Sequence, residues 1–192
     1  MDYHSIYDLA LPFLDTRENK EHTLISYKFA ARLLKEEGGD PSVVFPAVIL
    51  HDVGWKSIPE NLQVSAFGPG ERDIELNRLH EIEGARIAGE IFKKVGYAPH
   101  LIEEITEIIL GHDSIKEATS INDAIVKDSD KLWRFTEHGV RFSTKRFSTP
   151  SRSLNLDRLG NSIDEWFLTA TGIKLAKKEL ALRRKNLELG KS

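Results

Sequence analysis

Apolar side chains recur along this chain at intervals of three and four, the spacing that lines one face of an α-helix. Tyr3, Ile6, Leu9, Ala10 and Phe13 predict a short helix over 2–13. His22, Ile25, Phe29 and Leu33 fall at i, i+3, i+7 and i+11, so a helix over 17–37 carries a histidine on its apolar face. Gly38-Gly39 stops it. Asp40-Pro41 reads as an N-cap with proline at the first helical position. Pro46 removes an interior hydrogen bond, so that helix is either kinked at 46 or regular only from there. It ends near Val53 with Gly54 as its C-cap, which puts His51 and Asp52 in its last turn. Residues 57–70, with two prolines and two glycines, predict a long loop. Glu71 to Val95 is a long helix with His80, Gly84, Ile87, Ile91 and Val95 on one face. After Gly96 and Pro99, Leu101, Ile105, Ile108 and His112 repeat the pattern.

Ser120 and Asp123 form a start signal for a helix over 121–136 that is apolar on several sides and carries Asp128 and Asp130. Residues 138–161, rich in Gly, Ser and Thr, predict mostly loop. Ser162-Ile-Asp-Glu165 matches a capping box that opens a short helix, Gly172 interrupts, and a charged amphipathic helix follows over 173–189. No stretch alternates as a strand does. The expectation is an all-α, single-domain bundle of seven to nine helices over residues 1–192, with helices 162–189 docked on it or forming a homodimer contact.

Composition narrows the chemistry. A net charge of −3 gives no global basic field for nucleic acid. No apolar run approaches a membrane span, and the polar start MDYHSIYDLALPF lacks a signal-peptide layout, so the expected location is cytoplasmic. The chain has no cysteine, which excludes disulfides, thiolate catalysis and Cys-ligated metals. Histidines and carboxylates remain as ligands.

They are placed unusually. His22, His51 with Asp52, His80, His112 and one aspartate of the 121–136 helix each project from an otherwise apolar face. Burying so many polar groups separately would cost about 1–3 kcal/mol for each one left unpaired. A shared divalent metal satisfies them together, as ligands projected inward by helix bundles do. Asp128 and Asp130 are two residues apart on one helix, so they face opposite ways and cannot both reach one metal. His4, His100 and His138 read as surface or capping residues.

The order His22, His51-Asp52 in AVILHDVG, and Asp130 in DAIVKDSDKLWRF resembles the HD-domain superfamily of metal-dependent phosphohydrolases over about residues 18–140. His80 in LHEIEGARIAG and His112 in ILGHDS match the extra histidines of a subset that contains dinuclear phosphodiesterases and diiron oxygenases related to inositol oxygenase. The resemblance implies an all-α bundle and one or two divalent transition metals (Fe, Mn, Zn, Co or Ni). Metal one would take His22, His51, Asp52 and Asp130; metal two would take His80, His112 and the other oxygen of Asp52. It also implies a small phosphorylated substrate attacked by metal-activated water, with Asp52 orienting the nucleophile. The subset commonly reads HDxGK, whereas Trp55 stands here in the lysine place and Lys56 follows. Lys56, or the basic cluster that follows Asp130, is expected to neutralise developing charge. Lys131, Arg134, Arg141, Lys145 and Arg146 are either a solvated basic face or a phosphate clamp at the site mouth. The alternatives are a diiron oxygenase and a non-catalytic nucleotide-sensing module.

Overall fold

The computed structural model describes residues 3–66, 73–146 and 152–190. They form α1 (His4–Ala10), α2 (Asn19–Glu37), α3 (Pro41–Leu50), a 3-10 turn (Val53–Ser57), α4 (Glu60–Ala66), α5 (Ile74–Val95), α6 (Pro99–Gly111) and α7 (Ile121–Leu132). A second 3-10 turn (Trp133–Phe135), α8 (Glu137–Arg146), α9 (Arg152–Trp166) and α10 (Ala170–Glu188) complete them, with no strand among the described residues.

The hub is α3. Val43, Val44, Ala47, Val48, Ile49 and Leu50 are all buried, and the helix packs against α1, α2, α5, α6 and α7. It starts where the sequence places it: Asp40 Oδ1 accepts from Ser42 N at 2.7 Å. Pro46 neither delays nor breaks it. A proline at 46 has no N–H to give the carbonyl four residues back, at Ser42. The Tyr97 hydroxyl donates to that carbonyl instead, at 2.6 Å.

Gly54 has a different task from the expected C-cap. It lies in the 3-10 turn that crosses α5, where an added Cβ would stand 1.9 Å from the His80 carbonyl oxygen and 2.4 Å from Gly84 N. Only glycine lets the two backbones meet this closely. That contact brings the segment after Asp52 against the turn of α5 that bears His80.

Three segments depart from the sequence expectation. Within 57–70, residues 60–66 are helical rather than loop. Buried Gln63 holds α4 there, its Nε2 donating to the carbonyls of Trp55 (3.1 Å) and Ile58 (2.9 Å). Residues 67–70 lie outside the described residues. The expected loop at 138–161 is largely α8 and α9. Phe142 packs on Trp133 with ring centroids 5.4 Å apart, and Leu156, Leu159, Ile163 and Phe167 form a buried stripe. Ser162 is therefore interior to α9, and its hydroxyl donates to the Arg158 carbonyl at 2.9 Å instead of capping. Gly172 does not interrupt: α10 begins before it, with Thr169 Oγ1 accepting from Gly172 N at 2.9 Å.

Both C-terminal helices rest on the bundle, α10 against α9, α7 and α2. Asp128 ties them down. It accepts from Leu168 N (2.8 Å), Thr169 N (2.9 Å) and the Thr169 hydroxyl (2.7 Å). Asp128 thus serves the α9–α10 corner, while Asp130 faces the opposite way, as their spacing requires.

Candidate metal centre

Three elements deliver the first four side chains to one buried point. His22 comes from the second turn of α2, His51 and Asp52 from the end of α3, and Asp130 from α7. His22 Nε2 and His51 Nε2 are 2.9 Å apart. Asp130 Oδ1 is 3.3 Å from the first and 3.6 Å from the second. Asp52 Oδ2 is 3.5 Å from His22 and 3.8 Å from His51. The other oxygen of Asp52 faces a second pair. Oδ1 is 3.7 Å from His112 Nε2 and 4.0 Å from His80 Nε2, and these two nitrogens are 3.3 Å apart. All six side chains are buried.

Most of these separations suit a metal, those from Asp52 to His51, His112 and His80 being the longest. Ligand atoms bound at about 2.0–2.2 Å to one ion lie about 3–3.6 Å from one another. The tautomers suit it as well. His51 Nδ1 donates to the Val48 carbonyl and His112 Nδ1 to the Ile109 carbonyl, both at 2.8 Å. A carbonyl only accepts, so each Nδ1 carries a proton and Nε2 is the atom whose lone pair a neutral ring offers to a metal. His80 is fixed differently: its Nδ1 has no hydrogen-bond partner among the described residues, and its ring stacks on Trp55 at 4.1 Å and 14°.

Neighbouring groups orient the carboxylates. The Trp55 indole N–H donates to Asp52 Oδ1 at 3.0 Å. Arg134 Nη1 donates to Asp130 Oδ2 at 3.3 Å, which turns Oδ1 toward the histidines. Burial opposes the charge on both acids. His51, His112, His22 and Arg17 nevertheless hold Asp52 well below the usual carboxylate range, and Arg134, His22 and His51 do the same for Asp130. Both are anions ready to bind a cation. Burial pushes His22 down. It acts also on His80, which with the adjacent His112 charge falls to about 4.

A sequence profile described as HD domain matches residues 19–134, more than half of the chain. The chain belongs to the HD domain family. In fold it is similar to a crystal structure described as a predicted HD superfamily hydrolase from an uncultured Thermotogales bacterium. The TM-score is 0.65 at 17% identity, over 96% of this chain and 88% of that one. No curated protein matches the chain. Two clusters here, His22–His51–Asp130 and His51–Asp52–His112, could hold a divalent metal of the kind HD domains bind.

Not every residue singled out in the sequence reaches this centre. Lys56 does not line the pocket over it. Its Nζ is exposed and donates to the Asp15 carbonyl at 3.2 Å, because the 3-10 turn points Trp55 inward and its successor outward. Of the basic cluster, Arg134 lines the pocket. Lys131 lines an adjoining one with Asp113, Lys116, Glu165 and Trp166. Arg141 and Lys145 are exposed, and Arg141 lies 3.4 Å from His138 Nδ1. Arg146 packs over Phe142 at 5.8 Å.

Other residues there escape a motif reading. Arg17, Asn19, Asp113, Trp133 and Phe142 also line the pocket. Asn19 Nδ2 donates to the Asp52 carbonyl at 3.3 Å. Fully buried Glu81 anchors the segment after His112, its Oε1 accepting from Asp113 N (3.0 Å) and Ser114 N (2.9 Å). The signal for Glu81 was its place beside His80; Arg17 left none, since it precedes its helix in a polar run.

Proposed function

We propose that this HD-domain chain is a metal-dependent phosphohydrolase with a two-metal centre. One observation carries the reading: Asp52 presents one carboxylate oxygen to His22 and His51, which also face Asp130, and the other to His80 and His112. One ion would be held by the first set and a second by His80, His112 and Asp52 Oδ1. When bound, divalent metals lower the pKa of coordinated water and polarise a phosphoryl oxygen.

The chain's own residues supply position and charge. Asp52 cannot swing freely, because the Trp55 N–H grips it at 3.0 Å. Arg134 orients Asp130 and places a guanidinium at the pocket, where negative charge on a phosphoryl group increases during attack. Lys131 in the adjoining pocket extends the basic surface toward the rest of a small phosphorylated substrate. Trp133 and Phe142 wall the site and limit water. Support also comes from family membership and from the neighbour described as a hydrolase.

The test is elemental analysis of the isolated protein, followed by metal-loaded turnover on a panel of phosphomonoesters and phosphodiesters with oxygen uptake recorded in parallel. Metal-dependent phosphate release without oxygen uptake is the expected result. Oxygen uptake with an iron-loaded centre would assign the same ligands to oxygenase chemistry, and silence across the panel would leave a sensing module.

A further inference from the structure

Arg17, outside the ligand set, roofs the pocket over the centre. Arg17 and Glu18 both hold left-handed backbone, with φ of 53° and 58°. Side chains other than glycine keep this conformation only where their surroundings impose it, and such residues gather at functional sites. The surroundings are specific here. Glu18 Oε2 meets His138 Nε2 of α8 at 2.8 Å, Asn19 is tied to the Asp52 carbonyl, and the Thr16 hydroxyl accepts from buried Gln63 at 3.2 Å. The outcome is a guanidinium whose Cζ lies 3.8 Å over the Trp55 ring. Trp55 is a rigid platform, held by its bond to Asp52 and its stack on His80.

We propose that Arg17 binds a terminal, dianionic phosphoryl group, together with Arg134 in the same pocket. This rests on the phosphohydrolase reading and narrows it to phosphomonoesters. Stacking engages the face of a guanidinium, while its N–H donors lie around the rim in the fork that matches phosphate oxygens. Charge points the same way. Asp52, Asp113 and Asp130 against Arg17 and Arg134 leave the pocket one negative charge. Two divalent ions reverse it to a surplus that suits a dianion better than the single charge of a diester.

The test is calorimetric binding of inorganic phosphate and of dimethyl phosphate to the metal-loaded protein at about pH 8, where inorganic phosphate is dianionic. Arg17→Gly removes the guanidinium and suits the left-handed backbone, so it keeps the fold; Arg17→Lys restores the charge without the fork. Wild type is expected to bind phosphate in preference to dimethyl phosphate. Arg17→Gly should weaken phosphate binding about tenfold or more, with metal content and melting temperature retained, and Arg17→Lys should recover part of it. Phosphate affinity in Arg17→Gly within about twofold of wild type, preference for dimethyl phosphate, or no binding of either anion by wild type would overturn the inference. If phosphate binds through Arg17 but no phosphoester is hydrolysed, the hydrolase reading fails and the inference stands. Monoester turnover with unchanged KM in Arg17→Gly gives the reverse.

Discussion

Asp52 is the residue on which both halves of the centre depend. Its two oxygens face different histidine sets, and no other carboxylate among the described residues stands between them. Asp52→Ala is expected to lose metal from both sets and to abolish turnover, with the helical content unchanged; elemental analysis and circular dichroism check this. Full metal occupancy with wild-type turnover would remove Asp52 from the centre. Asp128, two residues before Asp130, provides the contrast. Removing its side chain leaves the Leu168 and Thr169 N–H groups and the Thr169 hydroxyl without their acceptor. Asp128→Ala is expected to cost about 3 kcal/mol in chemical denaturation, since each buried donor left unpaired costs about 1–3 kcal/mol, while metal content stays the same. Loss of metal in that variant would contradict the division of labour between the two aspartates.

At the level of elements, the centre is built by crossings. The 3-10 turn after α3 touches α5 at Gly54 and Gly84, so the Asp52 and His80 elements approach backbone to backbone. Gly54→Ala is expected to destabilise the protein by about 3 kcal/mol or more, the scale of a severe overpacking, read as a lowered melting temperature. Unchanged stability would mean that the crossing is looser than described. The helices that bear ligands were legible because a histidine or aspartate sits on an otherwise apolar stripe, as at His22, His80 and His112. Their caps were legible too, at Asp40 and Ser120. The last helix was legible as well, as α10, but residues 138–161 were not. Leu156, Leu159, Ile163 and Phe167 carry a helical period, but glycine, serine and threonine between them suggested loop, and Ser162 imitated a capping box. Helix α4 is set by Gln63 reaching carbonyls brought to it by the fold, which no local pattern encodes. The role of Gly54 was misread for a similar reason: a glycine after a helix looks like a cap until the partner backbone is seen. Lys56 was expected at the site, but the 3-10 turn after Asp52 turns Trp55 inward and Lys56 outward, an arrangement the motif spacing does not encode.

In the molecule as a whole, the centre stores charge that a metal must displace. Burial works against a proton on His112, but the facing Asp52 and the Asp113 and Glu81 carboxylates outweigh it and raise the group to about 9. His80, lowered to about 4, is neutral at pH 7. The metal-free centre therefore carries a proton on His112 at neutral pH, and metal loading expels it. Calorimetry in buffers of different ionisation enthalpy is expected to show release of about one proton per chain near pH 7.5. The sign for stability follows. A group raised above its unfolded value of 6.5 stabilises fully below that pH and loses this contribution as pH rises through about 9. The melting temperature of metal-free protein should fall over that interval more steeply than that of loaded protein, and equal slopes would contradict the assignment. The described residues contain no helix long and apolar enough to cross a membrane. The bundle instead encloses its polar groups around one buried point, where the helices α2, α3, α5, α6 and α7 converge. Whether that point is a two-metal centre is decided most directly by an anomalous difference map from crystals of metal-loaded protein. The account predicts two peaks about 3.5–4 Å apart, one on each oxygen of Asp52; a single peak, or peaks that leave His80 and His112 without a metal, would contradict it.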